Sequence, residues 1–354
     1  MRKVVVSMLI LLVVLSSGVM TAAQGRVPVT SSRVPVVSSA PADNTVLAQP
    51  APDVPAPDAI LWDQPLSTVN TNAYANQDFE TAFDAYDIVI ADDFVNAEAW
   101  TLRNIWVPGN GWNGFTTLMN ATALNWQIYA DAGGVPAGDP WTGGAFWSLS
   151  LPPSDLQVQI LTGSGGYPSN TWLTPSNPPV LPAGHWWLVF YPTLPFSPGG
   201  QFGRQWSDTT NATVAQVINP GGGFGFPLYW SAAPPLYGVP QQDMAFRLSG
   251  SRNIMYVGAI SGTSPYPFKM RWNVQIREVS GPKVPDVLVS VEETTPGGLV
   301  ITDAQLTNAK GVARFQLAFG ESGDYTLCVT GATKSGFTYD PAFNIVTCHT
   351  ITMP

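Results

Sequence analysis

Lys269-Met270-Arg271-Trp272-Asn273-Val274-Gln275-Ile276-Arg277 alternates between polar and apolar side chains at every position. A period of two puts Met270, Trp272, Val274 and Ile276 on one face of an extended strand and the charged residues on the other. A helix, at 3.6 residues per turn, would scatter the same residues around its circumference. The stretch therefore predicts a strand with one face buried and one solvated, as antiparallel sheets have. The pattern recurs in Val287/Val289/Val291, Ala313/Phe315/Leu317/Phe319 and Tyr325/Leu327/Val329. Residues 253–354 are thus expected to form a β-sandwich.

Upstream, over residues 61–250, the alternating runs are shorter: Ile88/Ile90, Trp100/Leu102, Leu124/Trp126/Ile128 and Met244/Phe246/Leu248, most of them bounded by Gly, Pro, Asn or Asp. Short strands with that punctuation predict a second sandwich or barrel, larger and jelly-roll-like. This stretch holds 12 of the 13 Trp, and its only basic residues are Arg103, Arg204 and Arg247. Composition agrees. Gly and Pro contribute 33 residues each to a chain of 354, well above the usual combined share of about 12%. Charged residues are 11%, against about 25% normally. Coiled coils and charge-rich disordered chains are excluded at 45% hydrophobic residues, and the length suits about two domains. No internal repeat relates the two halves.

At the start of the chain, Arg2 and Lys3 precede an apolar run from Val4 to Leu15, followed by Thr21-Ala22-Ala23. This has the order of a secretory signal peptide, residues 1–23, and the run is shorter than the ~20 residues a membrane span needs. The expected location is secreted and extracellular, with no stable membrane insertion. No Cys precedes Cys328, so no lipidated Cys follows the leader, and the tail after Cys348 has no hydrophobic anchor. Residues 24–60 are rich in Pro, Ala, Val and Ser and are expected to form an extended linker. Loss of Arg2 and Lys3 takes the formal charge from −9 to −11. Such a chain repels phosphate backbones and anionic lipid, so nucleic acid is not an expected partner.

Cys328 and Cys348 are the only cysteines, and in an exported chain they are expected to form a disulfide. By alternation Cys328 shares a face with Thr326 and Thr330, and Cys348 with Thr350 and Thr352, so the bridge would join two polar faces. A reactive thiol or metal pair is the alternative, and without a His cluster the two make a poor zinc site.

With only His185 and His349, nucleophilic catalysis through a Ser/His or Cys/His pair has few candidates. His185 lies in the apolar run Gly184-His185-Trp186-Trp187-Leu188-Val189-Phe190 and is expected to be structural. Gly-x-Ser-x-Gly and His-Glu-x-x-His are absent. Gly221-Gly222-Gly223-Phe224-Gly225 lacks the Lys of a phosphate-binding loop and is expected to be a turn. Asp92-Asp93 is the most conspicuous carboxylate pair, but adjacent strand residues point to opposite faces, which argues against shared glycosidase work. Asp92, Asp93 and Asp131 are also candidate calcium ligands, as hard oxygen donors in a His-poor chain, although a strand end or the turn Asp131-Ala132-Gly133-Gly134 explains them equally.

Trp112, Trp141, Trp172, Trp206 and Trp230 lie in or beside stretches rich in Gly, Pro, Asn or Ser, where side chains are expected to reach solvent. Flat aromatic faces among Asn, Gln and Asp suit the stacking of sugar rings, and the plain alternative is that large rings plug the ends of a sandwich.

Two resemblances carry this further. Tyr86-Asp87-Ile88-Val89-Ile90-Ala91-Asp92-Asp93-Phe94-Val95, with Ile128-Tyr129-Ala130-Asp131-Ala132-Gly133-Gly134-Val135-Pro136 and Pro198-Gly199-Gly200-Gln201-Phe202-Gly203, resembles a β-sandwich module of secreted bacterial proteins found beside peptidases or in surface proteins. That resemblance implies an accessory or binding role and carries no catalytic residues. Thr307-Asn308-Ala309-Lys310-Gly311-Val312-Ala313-Arg314-Phe315 and Gly323-Asp324-Tyr325-Thr326-Leu327-Cys328 resemble bacterial immunoglobulin-like or fibronectin-like modules. Tyr325 then stands where such sandwiches place a tyrosine-corner residue. The combined expectation is a secreted, non-catalytic binding or adhesion protein. Its first domain would take a polysaccharide or cell-surface ligand and its second would act as a spacer. The alternatives are an accessory part of a secreted glycosidase or peptidase, and a purely structural surface protein.

Overall fold

The computed structural model of the chain describes residues 35–37, 59–69, 72–162, 169–211, 213–239, 242–266, 269–318 and 321–353. The expected signal peptide, most of the expected linker and Phe319 lie outside the described residues. The fold is all-β, with four sheets arranged as two β-sandwiches.

The first sandwich comprises β1 (Ala59–Gln64), β2 (Ala73–Ala75), β3 (Val89–Asn96), β4 (Trp100–Trp112), β5 (Ala123–Ala130), β6 (Trp147–Leu151), β7 (Val158–Thr162), β8 (Ser169–Leu173), β9 (Val180–Leu181), β10 (Gly184–Thr193), β11 (Gln201–Gln205), β12 (Gln216–Ile218), β13 (Ser231–Ala232) and β14 (Phe246–Arg252). One sheet runs β1-β14-β4-β11-β2, with β8 and β9 also paired to β4 and β7 to β8. The other runs β13-β12-β3-β10-β5-β6. Alternation fixes what lies between them. Trp186, Leu188 and Phe190 of β10 meet Phe94, Trp126 and Ile128 of their own sheet and Leu102, Ile105, Phe202, Phe246 and Leu248 of the facing one. The intervening residues Trp187, Val189 and Tyr191 are also buried, with Val89, Ala91, Tyr129 and Ile218. Strand β10 is therefore covered on both faces, which accounts for its unbroken apolar sequence. Loops that bring Ala145 and Trp230 against it form part of that outer cover.

The second sandwich comprises β15 (Ile254–Tyr266), β16 (Lys269–Glu278), β17 (Leu288–Thr294), β18 (Val300–Leu306), β19 (Val312–Ala318), β20 (Gly323–Thr333), β21 (Thr338–Tyr339) and β22 (Cys348–Met353). Its sheets are β19-β16-β15-β21 and β18-β17-β20-β22. Met270, Trp272, Val274 and Ile276 face inward as their alternation demands, against Val289, Val291, Phe315, Tyr325 and Leu327. Cys328 and Cys348 sit opposite each other on β20 and β22 and form the disulfide. The bridge lies on the solvated face: of the neighbouring pair, Thr350 is exposed and Thr326 half-buried, and they share a hydroxyl hydrogen bond of 2.8 Å. The Tyr325 hydroxyl donates to the Glu321 carbonyl at 3.0 Å.

Asn253 alone separates β14 from β15. Its backbone N–H donates to the Ala99 carbonyl at 2.7 Å and its carbonyl accepts from Thr338 N–H at 2.9 Å. Its side-chain amide donates to Gly336 O and to Thr101 Oγ1. The two sandwiches are thus tied by a buried polar side chain, and beside it lies a cavity of about 610 Å³ lined in part by Arg103, Phe146, Val180, Glu278 and Phe337.

The expected linker also needs correction. Strand β1 already begins at Ala59, and Pro35-Val36-Val37 is docked on the larger sheet: Val37 O accepts from Ala75 N–H at 3.0 Å, and Val36 bonds the Gln201 side chain through both its N–H and its carbonyl. Proline removes only its own N–H, so the valines beside it remain free to pair at a sheet edge.

Candidate functional site

Two places gather the residues singled out in the sequence. The first is a buried charge cluster in the larger sandwich. Asp92, Asp93 and Asp243 each bring a carboxylate oxygen within 4.8 Å of the others, all three buried. Alternation argued that the neighbours Asp92 and Asp93 would diverge. They converge because the Asp92 carboxylate folds back onto its own strand, accepting from Asp93 N–H at 2.9 Å. Its other oxygen accepts from the Gln64 amide at 3.1 Å and from Met244 N–H. Asp243 accepts from Asn211 N–H at 2.6 Å.

Burial dominates the electrostatics. It raises Asp92 well above the ordinary carboxylate range, with the charges of Asp243 and Asp93 adding to the rise and Arg204 opposing it. Burial likewise raises Asp243 to about 6. Asp93 is raised by burial and held back by His185. Arg204 is fully buried and lowered by desolvation to about 10, so it stays charged at neutral pH. Its Nη1 donates to the Ile90 carbonyl at 3.1 Å.

His185 is bracketed by acids. Nε2 lies 2.5 Å from Asp93 Oδ2 and Nδ1 lies 3.5 Å from Asp131 Oδ1, while the ring stacks on Trp187 at 5.8 Å. Both ring nitrogens therefore face carboxylates. Asp131 does not join the trio. Its oxygens accept from Gly133 and Gly134 N–H groups and from the Trp187 indole at 2.9 Å, so the turn explains it.

The three carboxylates lie close enough together to hold a metal ion. Calcium takes six to eight oxygens, whereas the Asp92 oxygens already accept three N–H groups and only Asp93 Oδ1 and Asp243 Oδ1 lack a hydrogen-bond partner. The guanidinium of Arg204 already supplies a positive charge there. The cluster does not suit glycosidase work, because its carboxyl groups meet where no sugar reaches them.

The five tryptophans divide. Trp206 is fully buried and Trp172 is 6% exposed, which corrects the expectation that their flanking loop residues would leave them in solvent. Trp172 lies on β8 opposite Trp106 of β4, and Trp206 packs edge-on against Tyr74 at 5.1 Å and Tyr237 at 6.1 Å. Trp112 is half-buried against the Trp206 cluster. Trp206 and Trp112 thus pack inside the fold, while Trp172 is buried beside Trp106 on the other face of its sheet.

Trp141 and Trp230 belong to one loop cluster. The Trp230 indole N–H donates to the Gly138 carbonyl at 2.7 Å, tying its loop to Gly138-Asp139-Pro140-Trp141-Thr142-Gly143. Asp139 and Gly143 exchange two backbone hydrogen bonds, 3.0 and 2.8 Å. The Asp139 carboxylate then accepts from Trp141 N–H at 2.9 Å, Thr142 N–H at 2.8 Å and the Thr142 hydroxyl at 2.5 Å. Proline after Asp presets the turn backbone. Trp141 is 40% exposed at the tip, and Tyr229, beside Trp230, is 71% exposed. The sequence reading missed Tyr229 and Asp139, although the Asp-Pro turn signal was present. It also missed Asp243 and Arg204, which reach Asp92 only through the fold.

The glycine run at 221–225 is a turn. Gly223 N–H donates to Ala85 O at 2.6 Å, and a Cβ on Gly221 would stand 2.4 Å from Ala85 Cα, so the residues are small to admit the neighbouring backbone. No family model matches the chain, and no curated protein matches it.

Proposed function

We propose that this chain is a secreted, non-catalytic binding protein whose larger sandwich presents Trp141 and Tyr229 as a stacking platform for a polysaccharide, with the smaller sandwich as spacer. The observation that carries the reading is the held turn at 139–143: three hydrogen bonds to one carboxylate fix the loop that exposes Trp141. A fixed aromatic face loses little entropy when a ligand stacks on it. Sugar rings offer C–H faces that match such a surface, and the hydroxyl groups around them suit the neighbouring Asp and Thr.

The test incubates the chain with a panel of insoluble polysaccharides and cell-wall preparations and measures the fraction pelleted. Trp141→Ala and Tyr229→Ala are compared with Leu156→Ser, an exposed change elsewhere on the same sandwich. Loss of one aromatic stack, about 0.5–1.5 kcal/mol, weakens binding roughly two- to tenfold. Absence of pelleting with every preparation overturns the proposal, as does pelleting indifferent to both aromatic substitutions.

A further inference from the structure

The cavity beside Asn253 has walls from both sandwiches. Arg103, Phe146 and Val180 come from the larger one, and Glu278 and Phe337 from the smaller. Its volume of about 610 Å³ falls within the range of small-ligand sites, roughly 300–1,000 Å³, and such sites favour domain boundaries. The aromatic walls are held without a ligand. Phe146 N–H donates to Ile128 O at 2.8 Å, and the Phe146 ring stands edge-on to Trp186 at 4.7 Å. Across the boundary, Gly336 has a φ of +76° and a Cβ there would stand 2.9 Å from Val180 Cγ1, so glycine lets this loop lie close against β9. Gly336 O accepts from Asn253 Nδ2 at 2.9 Å. The Lys334 ammonium sits 5.5 Å over the Phe337 ring while donating to Pro285 O at 2.6 Å. Preformed walls spare a ligand the entropy of ordering them.

The polar groups decide what chemistry fits. The Thr101 and Ser251 hydroxyls are taken up by Asn253. The Glu278 carboxylate, on a half-buried residue, holds no hydrogen bond or ion pair among the described residues. A carboxylate can only accept, so an occupant has to donate to it. A wholly apolar occupant would strip water from Glu278 and put nothing in its place. A cation would share the cavity with the Arg103 guanidinium, and an anion would share it with Glu278 itself. Hydroxyl groups carry no charge, donate to a carboxylate and accept from a guanidinium. The C–H faces of a sugar ring suit the rings of Phe146 and Phe337.

We infer that the cavity between the sandwiches is a binding site for a neutral oligosaccharide, with Glu278 as acceptor of its hydroxyl groups and Phe146 and Phe337 as its apolar walls. The inference does not rest on the Trp141 and Tyr229 platform. It gives the smaller sandwich a share in a site, beyond its task as spacer. Only Asn253 separates β14 from β15, so an occupant that touches Phe146 and Glu278 together fastens the two sandwiches to each other.

The test is isothermal titration calorimetry of the full-length chain with cellotriose, maltotriose and chitotriose, and with glycine betaine as a zwitterion. At least one trisaccharide is expected to bind, and betaine is not. Glu278→Leu is expected to weaken that binding at least tenfold, as loss of hydrogen bonds to a charged group does, and Phe146→Ala to weaken it roughly two- to tenfold. Glu278→Gln, which keeps one acceptor oxygen, falls between Glu278→Leu and the unaltered chain. Phe146 is exposed and Glu278 half-buried, so these changes spare the core, and near-ultraviolet circular dichroism checks that they do. Exchange of the Thr338 N–H, which donates to Asn253 O at 2.9 Å, is expected to slow at least threefold when the trisaccharide is saturating. The inference falls if no trisaccharide binds, or if betaine binds in their place. It falls equally if binding survives Glu278→Leu and Phe146→Ala but is lost on Trp141→Ala, which puts the sugar on the exposed loops and leaves the platform reading intact.

Discussion

Glu293 offers a calculable test of how this fold handles a buried acid. It lies on β17 opposite Ile301 of β18 and Leu327 of β20, is 3% exposed, and has one carboxylate oxygen without a hydrogen-bond partner. Burial, with the charge of Asp303 adding to it, raises its pKa from 4.5 to about 7. The folded chain therefore keeps a proton that the unfolded chain releases across that interval. Stability from this group is complete below about pH 4.5, falls as pH rises through about 7, and is flat beyond. At ~1.36 kcal/mol per unit, the whole effect is ~3 kcal/mol. Glu293→Gln keeps the shape and has no proton to lose. By urea titration the variant is expected to exceed the unaltered chain in stability by about 1 kcal/mol near pH 5 and by ~3 kcal/mol near pH 8. Other buried acids, Asp87 at about 7 and Asp243 at about 6, contribute the same slope to both proteins and cancel in the difference. Parallel pH profiles for the two proteins would refute the reasoning.

Other outcomes follow from the same geometry. Trp206→Ala, in a fully buried aromatic cluster, is expected to lower unfolding stability by about 3–5 kcal/mol, whereas Trp141→Ala stays within about 0.5 kcal/mol; equal losses in urea titration would contradict the assignment of one to the core and the other to the surface. Reduction of the Cys328–Cys348 bond, which closes a separation of 20 residues, is expected to cost roughly 3 kcal/mol, and an unmoved urea midpoint after reduction would count against it. Asp139→Ala is expected to weaken polysaccharide pelleting as much as Trp141→Ala without moving the unfolding midpoint, because it frees the turn and leaves the core untouched; unchanged pelleting would separate loop rigidity from binding.

What the sequence disclosed, and what it withheld, follows from the range over which each feature is encoded. Met270 to Ile276 announced their strand because a period of two is local, and the Thr-Cys-Thr alternation around Cys328 and Cys348 placed the bridge on a solvated face for the same reason. Trp206 misled because local composition reports the chain on either side of a residue, whereas burial depends on Tyr74 and Tyr237 arriving from elsewhere. Asp92 and Asp93 misled differently: strand geometry separates their Cβ atoms, but a carboxylate bonded to the next N–H turns back and undoes the separation. Asp243, some 150 positions away, left no local sign.

The Pro-rich segment joins these lessons. Its composition argued against a packed core of its own, and Pro35-Val36-Val37 borrows one, lying against a buried glutamine that supplies both hydrogen bonds a neighbouring strand would give. A sheet edge left open exposes N–H and carbonyl groups to any passing strand. Covering that edge with a tethered segment keeps the local concentration of the cap high. The cap stands on the same physics as the short edge strand itself: three residues of β2 pair on one side with β11, and on the other side the Ala75 N–H is satisfied by the Val37 carbonyl.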